Sequence, residues 1–312
     1  MPQQGRSNPG TGSPPSPYPG TFLLAFREAI AKMNWRVRRW LGHLVECSDE
    51  RGVEQLVGLE NLFRRVRREE RERWPALIGE FLTTVGSAEP GTLLPSDLES
   101  AAEQLMVRLG PPFPPRARDV NVWSQAIANT GLTTNLVIDP RSQMCYVSEK
   151  LVADSGRPGE MWLEKAIENL SARTPAECLQ LLDPETGIQM CAVGDAYDSS
   201  RVLILDRLIP SGSPHGFFVA LPNRDQLLVL PVTQGGLKSL HFVKIVAEKN
   251  FRTAPHPISS EVYWLRDQIW RPIGIQIQDC EVTVSPPPEF GEVLAQIGGE
   301  TDQHGASETP AN

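Results

Sequence analysis

The sequence predicts an α+β fold: antiparallel β-hairpins alternating with helices, in two lobes. Three observations carry that reading. Turn-forming clusters at 48–52, 139–142 and 222–225 each separate two short apolar runs, the pattern of a hairpin. Apolar residues elsewhere recur at helical spacing, as in Phe22, Phe26, Ala29, Ile30 and Met33. A Pro/Gly-rich break at 86–120 divides the chain.

In chain order, 1–20 is Pro/Gly/Ser-rich and too poor in large apolar groups to offset the entropy of ordering, so a flexible tail is expected there. The N-terminal lobe, 21–85, opens with the helix of Phe22 and Phe26. A hairpin follows, with strands at 43–47 and 53–59, and then helices at 59–68 and 69–85. The connection at 86–120 holds one predicted helix, 96–109, with Ser96 as its N-cap.

The C-terminal lobe is predicted over 121–284. Strands 134–138 and 143–147 flank the turn at 139–142, and a helix runs over 161–172. A strand at 188–193 leads into a helix reaching Ile209. Strands 216–221 and 226–232 form the clearest hairpin, with Pro222 pre-set for the second position of a type I turn. A helix at 237–250 puts Phe242, Val243, Val246 and Ala247 on one stripe, and a last hairpin joins 261–265 to 269–277. Helices are expected to cover one face of antiparallel sheets. A second flexible tail is expected over 285–312. The pattern apolar-Glu-Asn-Leu occurs twice, at Leu59–Leu62 and Ile167–Leu170, and an internal duplication of the two lobes is one reading of it.

Composition narrows the function classes. The 312 residues are 40% hydrophobic and 22% charged, ordinary for a globular protein. A net charge of −8 argues against a general nucleic-acid binder. No segment reaches the roughly 18 consecutive apolar residues of a membrane span, and the first apolar run makes a poor secretory signal. Five scattered cysteines, none in a C-x-x-C pair, fit reduced thiols and a cytoplasmic protein better than a disulfide framework or a zinc site. No phosphate-binding glycine loop, zinc-protease motif or nucleophile elbow occurs. No cofactor is expected.

The densest polar cluster is Gly194-Asp195-Ala196-Tyr197-Asp198-Ser199-Ser200-Arg201, which runs directly into an apolar stretch. One reading is a helix cap: Asp195 at the N-cap, Asp198 at the third helical position, and Arg201 pairing with Asp198. A second has Asp195, Asp198 and Asp225 converging on a divalent metal as hard oxygen ligands. A third is non-catalytic binding through Tyr197 and Arg201. Asn223, Arg224 and Asp225 are favoured by turn chemistry alone, and Arg224 is also suited to recognise a carboxylate or phosphate. The histidines are dispersed and suit surface or packing positions, with His215 the one nearest the acidic block in sequence. In the N-terminal lobe Arg36, Arg38, Arg39, Arg64, Arg65, Arg67, Arg68, Arg71 and Arg73 lie near Trp35, Trp40 and Trp74. That interleaving could meet phosphate backbones, but Glu69, Glu70 and Glu72 inside the run favour a solvated face.

With these motifs in hand, the middle of the chain resembles the bacterial YtpQ-like family, catalogued as domain of unknown function 1444. The likeness rests on a helix ending in Asn169-Leu170, a strand, the block at 194–201 leading into a helix, and the strand-turn-strand around Pro222 to Asp225. It is best over 159–232 and departs from the family pattern at Ala196. The resemblance implies a bacterial, cytoplasmic α+β protein and transfers no catalytic residues. With common catalytic signatures missing, the expected function is a non-enzymatic interaction or scaffold module with a protein partner. The rivals are a metal-dependent hydrolase of a phosphate or ester, and nucleic-acid contact through the arginine-rich lobe.

Overall fold

The computed structural model describes residues 18–41, 44–50, 52, 54–86, 97–112, 122–140, 144–278 and 281–305. The fold is α+β, and every strand pair in its sheets is antiparallel. The chain forms two compact units, divided after Pro90.

In the first unit, helix α1 (Gly20–Lys32) is followed by a three-stranded meander of β1 (Arg36–Leu41), β2 (Leu44–Ser48) and β3 (Glu54–Gly58), then by α2 (Leu59–Val66) and α3 (Trp74–Gly86). The helical spacing of Phe22, Phe26, Ala29 and Ile30 does turn one face inward, against Val45, Val57, Leu62 and Ile78. Tyr18, which the composition assigned to a flexible tail, is buried, with its ring centroid 5.4 Å from those of Phe22 and Phe63.

In the second unit, β4 (Leu105–Gly110), β5 (Ser124–Ile127), β6 (Leu132–Ile138) and β7 (Cys145–Tyr146) form a four-stranded sheet centred on β6. Helices α4 (Glu149–Asp154) and α5 (Gly159–Arg173) follow, then β8 (Leu179–Asp183), β9 (Ile188–Cys191), a 3-10 turn over Ser199–Ile204 and α6 (Leu205–Leu208). The chain ends in β10 (Phe217–Asn223), β11 (Gln226–Pro231), α7 (Gln234–Thr253), β12 (Val262–Arg266), β13 (Ile269–Gln278), β14 (Glu281–Ser285) and α8 (Phe290–Gly305). The large sheet has the order β14-β13-β12-β10-β11-β9-β8.

β10 is buried along its whole length because both faces of this sheet are covered. Phe218, Ala220, Leu228 and Trp264 pack with α7 and α8. Phe217, Val219, Leu221 and Val229 face the opposite way, toward Val202 and Leu205 and toward Leu109 and Leu132 of the four-stranded sheet. Gly216 is a conformational requirement at the start of β10. Its φ is +80°, and a Cβ there would stand 2.4 Å from the Leu265 carbonyl oxygen.

Several expectations are corrected. The predicted helix over 96–109 is a short 3-10 turn followed by strand β4, because Leu105 to Leu109 pair with β6 instead of propagating a helix; Ser96 lies outside the described residues. The expected tail over 285–312 contains α8, whose Phe290, Val293 and Ile297 recur at i, i+3 and i+7 and enter the core. The Phe290 ring lies 4.9 Å from that of Trp264. Pro222 is a strand residue, and the turn consists of Arg224 and Asp225 alone, since Asn223 pairs with Gln226. Phe242, expected on the inner stripe of α7, is 48% exposed, while Val243 and Ala247 are buried.

Candidate functional site

The acidic block follows β9 as a tight loop. Gly194 has φ +84° and Ala196 φ +74°, the second a left-handed conformation that costs a residue with a Cβ about 1–2 kcal/mol. Asp195 Oδ1 accepts the Tyr197 amide at 3.1 Å, closing a side-chain turn around that residue.

Asp198 has no solvent exposure. Its Oδ1 accepts the Val193 amide at 2.9 Å and the Cys191 thiol at 3.1 Å, and its Oδ2 accepts the Gly194 amide at 2.7 Å. The capping box expected of Asp195 and Asp198 is therefore replaced. Asp198 already has helical φ and ψ and bonds to amides that precede it, while Asp195 reaches only two residues ahead. The pair binds up its own loop instead of a helix N-terminus.

Arg201 joins the two carboxylates. Its guanidinium is fully buried and holds Asp195 through two bonds, Nη1–Oδ1 at 2.9 Å and Nη2–Oδ2 at 2.6 Å. Nη1 also donates to Asp198 Oδ1 at 2.9 Å, and Nε to Thr174 Oγ1 at 3.2 Å. Four of the five donors of the guanidinium are thus engaged. Burial acts to raise the Asp195 carboxyl, but the hydrogen bonds and charge of Arg201 outweigh it and hold the group below the usual carboxylate range. Burial, followed by the hydrogen bond to Asp198, pushes the Cys191 thiol far up, so it is a poor nucleophile.

Tyr197 is also fully buried and points to a different partner. Its hydroxyl donates to Asp139 Oδ2 at 2.8 Å, and that carboxylate pairs with Arg173 at 2.7 Å. The Arg173 guanidinium lies 5.2 Å from the centre of the Tyr197 ring. Burial first and Asp139 second raise the phenol, which stays protonated. Asp139 and Arg173 line a cleft of about 550 Å³ together with Glu103, Gln104 and Asn169. Asn169 Nδ2 donates to the carbonyls of Ala102 and Leu105 at 2.7 and 2.8 Å, securing the entry to β4.

At the hairpin turn, Asn223 Oδ1 accepts the Asp225 amide at 3.0 Å, and Arg224 holds Asp225 through Nε–Oδ1 at 2.8 Å and Nη2–Oδ2 at 3.0 Å. The turn adjoins the acidic block through the backbone, where the Ser199 amide donates to the Arg224 carbonyl at 3.1 Å. The carboxylates do not converge, however. Among the described residues no group of three or more His, Cys, Asp or Glu side chains is arranged to hold a metal ion. The expected Asp195–Asp198–Asp225 constellation is corrected for a physical reason: arginines and backbone amides already occupy the oxygens a cation would need.

The arginine-rich lobe uses its aromatics elsewhere. Trp35 and Trp74 are buried and Trp40 packs against the same core. Arg39 makes a two-bond pair with Glu46, and Arg73 pairs with Glu69 at 2.6 Å. His215 is buried, and its carbonyl accepts the Trp264 indole N–H at 2.8 Å; His43 lies outside the described residues. The sequence reading missed Asp139 beyond its role in a turn, together with Arg173, Cys191 and Arg108. Asp139, Arg173 and Arg108 come from segments distant in sequence, for which local sequence carries no signal, whereas Cys191 lies seven residues before Asp198 on the strand that leads into the block. Among the described residues no helix is long and apolar enough to cross a membrane. Comparison with protein-family models, curated proteins and solved structures found no match.

Proposed function

We propose that this chain is a non-enzymatic interaction module that engages a protein partner, and that it is a cytoplasmic protein of the YtpQ-like kind. The observation that carries the partner reading is the pair of edges of the seven-stranded sheet, β8 and β14, that no further strand covers among the described residues. β8 at one end exposes Leu181 and Leu182, and every residue of β14 at the other end is exposed, Val282 and Val284 included. An unpaired edge with apolar side chains is a template for strand addition by another chain. Further support comes from the acidic block, whose carboxylates, thiol and guanidinium are all committed to one another, leaving little for bond-breaking chemistry.

The test compares affinity capture by the wild-type chain with capture by Leu181→Lys/Leu182→Lys and by Val282→Lys/Val284→Lys. The expected result is a set of bound proteins lost from one edge variant whose melting temperature matches wild type. Identical capture by all three proteins would overturn the reading. So would metal-dependent hydrolysis of an aryl phosphate by the wild type that disappears in Asp195→Asn.

A further inference from the structure

One arginine at the heart of the second unit, Arg108, is half-buried, and no ion pair with a carboxylate is found for it among the described residues. Arg108 lies on β4 opposite Asn135 of β6, half-buried against Tyr146, whose ring centre is 5.7 Å from the guanidinium carbon. Its Nη1 reaches the Met144 sulfur at 3.3 Å, a weak acceptor. Among the described residues no carboxylate forms an ion pair with it. A guanidinium taken partly out of water needs a counter-charge, and among the described residues it receives only the distant pull of the Asp225 carboxylate, with no ion pair.

A second guanidinium, that of Arg224, is near enough to repel it. Ser199 and Ser200, consecutive in the chain, tie the two arginine-bearing segments together. The Ser199 amide bonds to the Arg224 carbonyl at 3.1 Å, and Ser200 Oγ accepts the amide of Leu109, the residue after Arg108, at 2.9 Å. The Arg224 amide in turn donates to the His256 carbonyl at 3.0 Å. Asp225 neutralises Arg224 and orients it, but only through Nε and Nη2. Among the described residues the cluster therefore carries two guanidiniums against one carboxylate. Burial, reinforced by Arg224 and Arg108, lowers the His256 imidazole to about 4, so it adds no charge at neutral pH. Two buried polar atoms of the neighbouring residues have no hydrogen-bond partner among the described residues: Asn135 Oδ1 and Ser199 Oγ.

We propose that Arg108 and Arg224 form the cationic pair of a binding site for a phosphate-class oxyanion, either free inorganic phosphate or a small phosphomonoester. Guanidinium forks match the oxygens of such an anion, and its charge answers the excess of positive charge that the described residues of the cluster carry. Phosphate is preferred to carboxylate because a carboxylate only accepts hydrogen bonds, whereas inorganic phosphate keeps an O–H near neutral pH. That hydrogen suits an unpartnered acceptor such as Asn135 Oδ1.

Isothermal titration of the full chain in a phosphate-free buffer of low ionic strength tests the site. Inorganic phosphate, phenyl phosphate and acetate are titrated into wild type, Arg108→Gln, Arg108→Lys, Arg224→Gln and, as a remote control, Arg39→Gln. The expected result is one-to-one binding of at least one phosphate. Affinity should fall about tenfold or more in Arg108→Gln and Arg224→Gln, fall less in Arg108→Lys, and hold in Arg39→Gln. Binding of inorganic phosphate alone identifies the free ion as ligand, and equal or tighter binding of phenyl phosphate identifies an ester. The proposal is overturned by no saturable binding to wild type at about 10 mM of either phosphate, by acetate binding as tightly, or by full affinity in both glutamine variants. Arg224 is 24% exposed at a turn, so its variant remains informative if Arg108→Gln does not fold.

Discussion

Arg201 and Asp198, three residues apart and both without solvent exposure, meet at 2.9 Å in an ion pair that Asp195 completes from the partly exposed side. Such a pair stabilises only as a unit, since either member alone would be an uncompensated buried charge. Arg201→Met is therefore expected to cost about 3–5 kcal/mol, read from urea unfolding followed by tryptophan fluorescence. Asp198→Asn combined with Arg201→Met should recover part of that loss. A cost below about 1 kcal/mol for Arg201→Met would show that the pair behaves like one at the surface.

Removing only the Tyr197 hydroxyl isolates its bond to Asp139. The ring and its contact with Arg173 remain in Tyr197→Phe, so packing is unchanged while a hydrogen bond to a charged acceptor disappears. About 1.5–3 kcal/mol of stability should be lost. Thermal and urea melts of the variant check this, and unchanged melts would mean that the hydroxyl adds nothing to what the other contacts of Asp139 supply.

Asn169 supports β4 by donating to two carbonyls at the strand's entry. Asn169→Ala is expected to lose about 2 kcal/mol for two bonds of about 1 kcal/mol each. Substituting its exposed neighbour Glu168 by Ala should stay within about 0.5 kcal/mol. Equal effects at the two positions would contradict the assigned role.

The pH dependence follows from His256 and Asp195. The His256 imidazole titrates at about 4 in the fold against 6.5 when unperturbed, so between those values the unfolded chain binds more protons and stability rises with pH. Its contribution is complete above 6.5 and is lost as pH falls toward 4, a change of about 3 kcal/mol. His256 has φ +53°, and His256→Asn places there a residue that tolerates this conformation and does not titrate. The variant should lack this segment of the pH–stability curve. Asp195 acts lower down: its folded-state value lies below 3.8, so its contribution is present above 3.8 and disappears as pH falls through the folded value. A wild-type curve flat from pH 6.5 to 4 would refute the assignment to His256.

Much of the architecture was legible from local chemistry. Five apolar residues at helical spacing announced α1, and the apolar runs flanking Asn223 to Asp225 announced β10 and β11. β1 escaped because Arg36, Arg38 and Arg39 read as a charge run, although Arg36 and Arg38 share the exposed side of a strand. In β4, a helix-compatible segment became a strand because β6 was available to pair with it. The acidic block was legible as a polar concentration, while the cap and the metal cluster read from its neighbours were replaced by bonds within its own loop. A cap is a local arrangement, whereas the bond from Tyr197 to Asp139 spans 58 positions and that from Leu109 to Ser200 spans 91.

The sequence by itself determined the class of fold, most helices and hairpins, and the positions where polar groups crowd together. Those features depend on backbone periodicity and turn chemistry, which each short segment carries within it. Only the tertiary structure decided which carboxylate meets which arginine, that the large sheet is covered on both faces, and that Arg108 meets a sulfur atom and a ring, with no ion pair among the described residues. Such outcomes depend on which distant segments share a desolvated interior, where a charge must find a partner across space and not along the chain.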